Sequence, residues 1–185
     1  LQGRAAIADN KSETVRERDR GFPPVAQRDA TVLILGSLPG RTSLEFQQYY
    51  AHPHNAFWRI IASLFGAASS LPYKQRLKIL TSNQIALWDV LAAAERPGSL
   101  DSSIVPHSAV PNDFAAFFRA HPRIRRVFFN GQMAEVLFRR RVLPALGPEF
   151  AGIQFECLPS TSPAHAGMTF AKKLDRWTRI KETTR

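Results

Sequence analysis

Four short apolar runs, each cut off by a turn or a polar residue, constrain this chain more than any other feature. They are 31–35, ending at Gly36; 85–88, ending at Asp89; 126–129, ending at Asn130-Gly131; and 153–158, ending at Pro159. Each has the length of a strand, and the first is apolar throughout, as a parallel strand covered on both faces requires. The stretches between them carry apolar residues at three- and four-residue spacing. One stripe is Phe57, Ile60, Ile61 and Leu64; a second is Phe114, Phe117 and Phe118, behind a candidate N-cap at Asn112. A third is Met133, Val136 and Leu137, and the last is Leu174, Trp177 and Ile180. Strand–helix alternation of this kind predicts a single three-layer α/β domain with a central four-stranded, mainly parallel sheet flanked by helices. Binding sites in such sheets lie beyond the C-terminal ends of the strands. The turns after the four runs are therefore where chemistry is expected.

Composition narrows the classes. The 185 residues suffice for one domain with a core and are too few for two ordinary ones. No apolar run approaches the ~18 residues of a membrane span, and no signal-peptide pattern opens the chain. A single cysteine, Cys157, excludes an internal disulfide framework and an all-cysteine zinc site, and fits a cytoplasmic setting. The net charge is +10, and 19 of the 25 cations are arginine, the residue suited to phosphate contacts. A polyanion partner, nucleic acid first among them, is the expectation; the alternative is a basic enzyme whose charge only keeps it dispersed. Arginines concentrate around the third run, at Arg119, Arg123, Arg125, Arg126 and Arg139–Arg141. That cluster reads as phosphate-backbone contact or as a solvated basic face. Residues 1–20 mix five cations with four acids and no aromatic residue, which predicts a flexible N-terminal arm before a domain over 21–185.

The turns themselves are distinctive. Gly36-Ser37-Leu38-Pro39-Gly40 follows the first run but lacks the Lys-Ser/Thr of a P-loop. The next segment, Gln47 to Trp58, crowds aromatic, amide and imidazole groups together. On spacing alone Asn55 reads as a helix N-cap, Phe57 and Trp58 as core, and His52 and His54 as capping or surface residues. A third strong ligand beside the two histidines is missing, so a zinc site is rejected. After the fourth run, Pro159-Ser160-Thr161-Ser162-Pro163-Ala164-His165 offers hydroxyls that can cap a helix or donate to a phosphate. Ser162 with His165 is a weak serine-hydrolase pair, because the loop has no nucleophile elbow.

Taken in order, these motifs resemble the uracil-DNA glycosylase superfamily. Gly36 to Gly40 matches its first motif and Pro159 to His165 its last, DNA-contacting loop. The segment 51–58 resembles the mismatch-specific uracil/thymine branch. The whole pattern is most similar to the hypoxanthine-type branch, through Gly-Phe-Pro-Pro at 21–24, Gln-Tyr-Tyr-Ala-His-Pro at 48–53 and Trp-Asp-Val-Leu at 88–91. Glu-Arg-x-Gly-Ser-Leu-Asp-Ser at 95–102, Phe-Asn-Gly at 129–131 and Ser-Thr-Ser-Pro at 160–163 complete it. The resemblance covers about residues 21–180.

It implies a uracil-DNA-glycosylase-like fold and a monofunctional DNA glycosylase of base-excision repair. Such an enzyme flips a deaminated or mismatched base (hypoxanthine, uracil or thymine opposite guanine) out of double-stranded DNA and hydrolyses its N-glycosidic bond. No cofactor, no metal and no membrane are implied, and a monomer associated with the nucleoid is expected. Leu38 stands where several branches place a polar residue that orients the water. The hypoxanthine-type branch implies that role for Asn55, its amide oxygen accepting from water while its NH2 is anchored elsewhere. Tyr50 matches the position that stacks on the extruded base; Ser37 and Leu38 line the pocket through their backbone; Trp88 and Asp89 end the strand that reads the base. Ser160 and Ser162 match phosphate contacts, while His165 departs from the expected Asn. Arg123 and Arg125 are the candidate basic contacts to DNA. Two alternatives remain at this level: a non-catalytic nucleic-acid-binding module with a decayed pocket, and a small serine-type α/β hydrolase.

Overall fold

The computed structural model describes residues 18–68 and 70–183. Its strands are β1 (Asp19–Arg20), β2 (Val32–Gly36), β3 (Ile85–Asp89), β4 (Leu91–Ala94), β5 (Val110–Pro111), β6 (Arg126–Asn130) and β7 (Gln154–Leu158). Its α-helices are α1 (Arg41–Phe46), α2 (Phe57–Phe65), α3 (Tyr73–Ser82), α4 (Phe114–Ala120), α5 (Gln132–Arg141) and α6 (Phe170–Thr183). The four apolar runs form one four-stranded sheet in the order β3-β2-β6-β7. Every pairing in it is parallel, with Val32 opposite Ile85 and Arg126, and Arg126 opposite Gln154.

Alternation along the strands sorts side chains into two helix layers. Val32, Ile34, Ile85, Leu87 and Phe128 face one side, against Phe57, Ile60, Ile61 and Leu64 of α2 and Trp177 and Ile180 of α6. Leu33, Leu35, Trp88, Val127 and Phe129 face the other, against Phe114, Phe117 and Phe118 of α4 and Ala134 and Phe138 of α5. Truncating one of these fully buried aromatics, such as Phe138, removes contacts worth about 3–5 kcal/mol.

Three local expectations are corrected. The side chain that caps α4 is Asp113, which accepts from the Ala116 N–H at 2.9 Å; Asn112 instead donates to the Asp89 carbonyl at 2.9 Å. On α5 the buried residues are Ala134 and Phe138, one helical turn apart; of the expected stripe Leu137 packs against the core, while Val136 is 39% exposed. Asp19 and Arg20, read as the end of the arm, pair antiparallel with Ala94 and Ala93, so strand structure precedes Gly21. The rest of the arm expected over 1–20, residues 1–17, lies outside the described residues. The small sheet β1-β4-β5 had no sequence signal, because its strands are two to four residues long and β4 is mostly alanine, a poor strand former. Among the described residues no helix is long and apolar enough to cross a membrane.

The strand order positions the site. From β2 the chain passes to β3 on one side and later to β6 on the other, so the order reverses between β2 and β6. The loops after those strands diverge and leave a crevice beyond their carboxyl ends.

Candidate active site

That crevice is a cleft of about 600 Å³. Its walls come from Gly36–Ser43 after β2, the loop before α2, Asp89 at the end of β3, Ser99–Ser102, Asn130–Met133 after β6, and Ser160–His165 after β7. Residues far apart in sequence are brought together by a few polar ties. The Asn130 side chain donates to Thr161 Oγ1 and accepts from the Thr161 N–H, both at 2.8 Å. The Thr161 carbonyl in turn accepts the Ala56 N–H at 2.9 Å. Thr161 is buried, and it links the end of β6, the loop after β7 and the start of α2. Gly131 permits the close approach of the last two loops: its φ is +99°, and a Cβ there would sit 2.8 Å from Ser160 Cβ.

Asn55 reaches the cleft beside this junction. Its Oδ1 accepts the Phe57 N–H at 3.0 Å. The side chain is thus anchored through its oxygen, not through the NH2 that sequence reasoning assigned to the task. An amide oxygen has two lone pairs, so one acceptor site remains for a further donor.

Tyr50 adopts the left-handed conformation at φ +53°, rare for a bulky residue and a form of strain that clusters at functional sites. Its ring stacks on Phe57 at 4.1 Å between centroids. Its hydroxyl is buried and has no hydrogen-bond partner. Asn130 lies near enough to pull the phenol pKa down, although the hydrogen bonds its amide makes go to Thr161. Burial dominates and raises the phenol above its ordinary range, with the charge of Asp89 adding to it.

Asp89 is 3% exposed, and its Oδ2 also lacks a partner. Burial, reinforced by the nearby charge of Asp101 and offset by Arg96, pushes its carboxyl up to about 8. At neutral pH it is mostly a neutral acid with an O–H to donate. Asp89 and the Tyr50 hydroxyl converge on Gly36. A Cβ at that position would collide with Asp89 Oδ1 and lie 3.0 Å from the Tyr50 oxygen. The bare glycine is what leaves room for both groups.

The remaining sequence candidates divide. Ser37 and Leu38 line the cleft, with the Leu38 side chain turned into the core. Ser160, Ser162 and His165 line it from the opposite wall. Trp88 does not: it is 8% exposed, packs on Phe114 and Phe117, and donates to the Phe22 carbonyl. Alternation along β3 sends Asp89 to the cleft and Trp88 under α4. Arg123 and Arg125 precede β6 and sit at the N-terminal end of the sheet, a strand length of about 16 Å from the cleft. Arg125 there donates to the Pro122 carbonyl at 2.6 Å. Among the described residues the arginine that lines the cleft is Arg41, whose Nε donates to the Gly98 carbonyl at 3.3 Å. Ser162 Oγ accepts the Ala164 N–H at 3.3 Å and His165 is exposed, so no serine–histidine dyad is formed. Among the described residues no group of three or more His, Cys, Asp and Glu side chains is placed to hold a metal.

Sequence reasoning gave no role to Asp101, Arg96 or Asn130, although each lies in a motif quoted for the resemblance. Asp101 Oδ2 accepts Ser37 Oγ at 2.5 Å. Arg96, 5% exposed, pairs with Asp19 at 2.7 Å.

A sequence model of the Uracil DNA glycosylase superfamily matches residues 23–181. A hypoxanthine DNA glycosylase of Methanosarcina acetivorans is 39% identical over 150 residues, 79% of this chain and 87% of that protein. One from Methanosarcina barkeri is 41% identical over 116 residues, 62% of this chain and 72% of that protein. A solution NMR structure from Methanosarcina acetivorans, provisionally described as a uracil DNA glycosylase, superposes with a TM-score of 0.70 at 34% identity. It covers 89% of this chain and 99% of its own.

Proposed function

The chain belongs to the uracil DNA glycosylase superfamily and is a DNA glycosylase, and we propose that it excises deaminated bases, hypoxanthine first and uracil or thymine opposite guanine as further candidates, from double-stranded DNA in the cytoplasm, acting as a monomer. The observation that carries this reading is the convergence on the bare Gly36 of the unpartnered Tyr50 hydroxyl and the buried Asp89 carboxyl, whose Oδ1 faces Gly36 and whose Oδ2 is unpartnered. Buried polar groups without partners are costly and are kept where a ligand completes them.

Deamination replaces an exocyclic amine by a carbonyl next to a ring N–H. A neutral Asp89 can donate its O–H to that carbonyl and accept the ring N–H on its other oxygen. The Tyr50 hydroxyl adds a second polar contact, and its ring bounds the base pocket. Asn55 spends one lone pair on Phe57 and offers the other to a water at the sugar carbon. As the glycosidic bond breaks, the base gathers negative charge, and the Asp89 donor stabilises that charge more than the ground state. Ser160, Ser162 and His165 hold the flanking phosphates, with Arg41 across the cleft. Arg123 and Arg125 have no part in this reading.

The test is a panel of labelled duplexes carrying one damaged base each, incubated with excess protein and then treated with alkali. Cleavage of the hypoxanthine duplex, with strand breaks only after alkali, is expected. A chain that binds every duplex and cuts none is a binding module instead.

A further inference from the structure

Asp101 shares the cleft with Asp89 in the opposite circumstances. It opens a 3-10 turn, Asp101–Ser103, at the end of the 95–102 motif. Its Oδ2 takes the Ser37 hydroxyl at 2.5 Å, and its Oδ1 lies 3.6 Å from Arg96 Nη1. The Arg96 side chain is fully buried. Besides its pair with Asp19 it donates to the carbonyls of Leu38 and Pro39. One guanidinium therefore ties β1, the loop after β2 and Asp101 together. Asp89 has no such support: among the described residues no cation pairs with it, and one of its oxygens is orphaned. Two carboxyls lining one cleft resist ionising together, and the one with the ion pair and the donor keeps the charge.

We propose that Asp101 is a positioning residue that, clamped between Ser37 and Arg96, carries the negative charge of the pocket and so reinforces the burial that keeps Asp89 a neutral, hydrogen-bond-donating group. Only the consequence for base recognition rests on the glycosylase reading. The groups near enough to act on Asp89 electrostatically, or to feel its charge, are Asp101 from the 3-10 turn, Arg96 from beyond β4, Tyr49 and Tyr50 from the loop before α2, and Tyr73 of α3. Burial raises all three phenols, so none contributes charge near neutrality. Burial also raises Asp101, but its Ser37 bond and Arg96 pull it back. Asp89 feels the charge of Asp101 as a second upward push after burial.

The experiment is an NMR titration of the full chain labelled at its aspartate carboxyl carbons, without DNA. The Asp89 signal is identified by its loss in Asp89→Asn. In the wild type it titrates near 8. In Asp101→Asn, which keeps an oxygen for Ser37, the Asp89 midpoint moves to lower pH. Asp101→Ala is the second variant should the first fail to fold, with the same shift expected. The alkaline limb of single-turnover cleavage moves down in parallel, a change that mere loosening of the loop would not produce. An Asp89 midpoint unchanged in the folded variant overturns the proposal. Failure of the wild type to cleave any damaged duplex would instead sink the glycosylase reading and leave the NMR shift standing.

Discussion

Asn55 Oδ1 accepts the Phe57 N–H at 3.0 Å, so the residue assigned to the attacking water also pins the first turn of α2. The two roles separate by substitution. Asn55→Ala loses both: about 1 kcal/mol of stability from the lost cap, a melting point lower by about 2–4 °C, and a cleavage rate down by ~10²–10³. Asn55→Ser keeps a capping oxygen on a shorter side chain. It is expected to melt close to the wild type and to cleave as poorly as Asn55→Ala. Wild-type cleavage by either variant would make Asn55 a cap alone. Single-turnover rates and thermal melts on the same preparations decide it.

The orphaned Tyr50 hydroxyl yields a paired expectation. Leaving a buried hydroxyl unpartnered costs about 1–3 kcal/mol, so Tyr50→Phe should melt higher than the wild type. If the hydroxyl finds its partner in the flipped base, the same variant cleaves more slowly. Tyr50→Ala loses the base-facing ring as well, with about 1–3 kcal/mol of stacking, and is slower still. A Tyr50→Phe protein that is stabilised and fully active would show that the hydroxyl never meets the base.

Asp89 makes stability depend on pH. Burial holds its folded-state carboxyl protonated up to about 8, whereas the unfolded chain releases that proton near ~4. Between these values the folded state binds more protons, so the stability linked to Asp89 is complete at the acid end, drains as pH rises and is gone above the folded value. Asp89→Asn removes this dependence. Its melting temperature relative to the wild type is expected to climb from about pH 5 to about pH 8 and then level off. A difference that is flat across that window would mean that Asp89 is ionised in the folded protein.

The position of the arginines predicts unequal salt effects. Arg41 lines the cleft, while Arg125 lies at the far end of the sheet. For duplex binding, Arg41→Ala should reduce the slope of log K against log salt by about 0.9, and Arg125→Ala should leave it unchanged. Equal losses would place the duplex across both ends of the molecule.

Much of this architecture was legible in the chain. The four apolar runs end within a residue of the strands of the main sheet. β2 and β3, buried on both faces, are apolar up to their last residue, whereas the partly exposed edge strand β7 alternates and is marked by the proline after it. The stripe on α2 was found in full, since all four of its residues point into the core. The stripe on α5 was not: small Ala134 faces the sheet and longer Val136 faces solvent, a choice made by tertiary space and not by periodicity. For the site, the loops were found by their positions after the strands. Trp88 and Asp89 show the limit of that reasoning, because adjacent strand residues point to opposite faces and composition does not say which. Arg123 and Arg125 show another: a basic cluster in sequence does not tell which end of a parallel sheet it will occupy. Asp101 and Arg96 show no role in the sequence, because their contacts to Ser37, Leu38 and Asp19 are long-range.

The most direct test of the central claim, that the base is received where Asp89 and Tyr50 converge, is the release of free base by Gly36→Ala. The added methyl would collide with Asp89 Oδ1, forcing that side chain to shift, and crowd the Tyr50 oxygen, while leaving the phosphate-contacting loop after β7 untouched. Single-turnover reactions on a hypoxanthine duplex, read as free hypoxanthine released and paired with duplex affinity, give the answer. The account predicts rapid release by the wild type, and in Gly36→Ala near-normal duplex affinity with release slowed by ~10²-fold or more. Wild-type release from Gly36→Ala would contradict it and send the base to another part of the cleft.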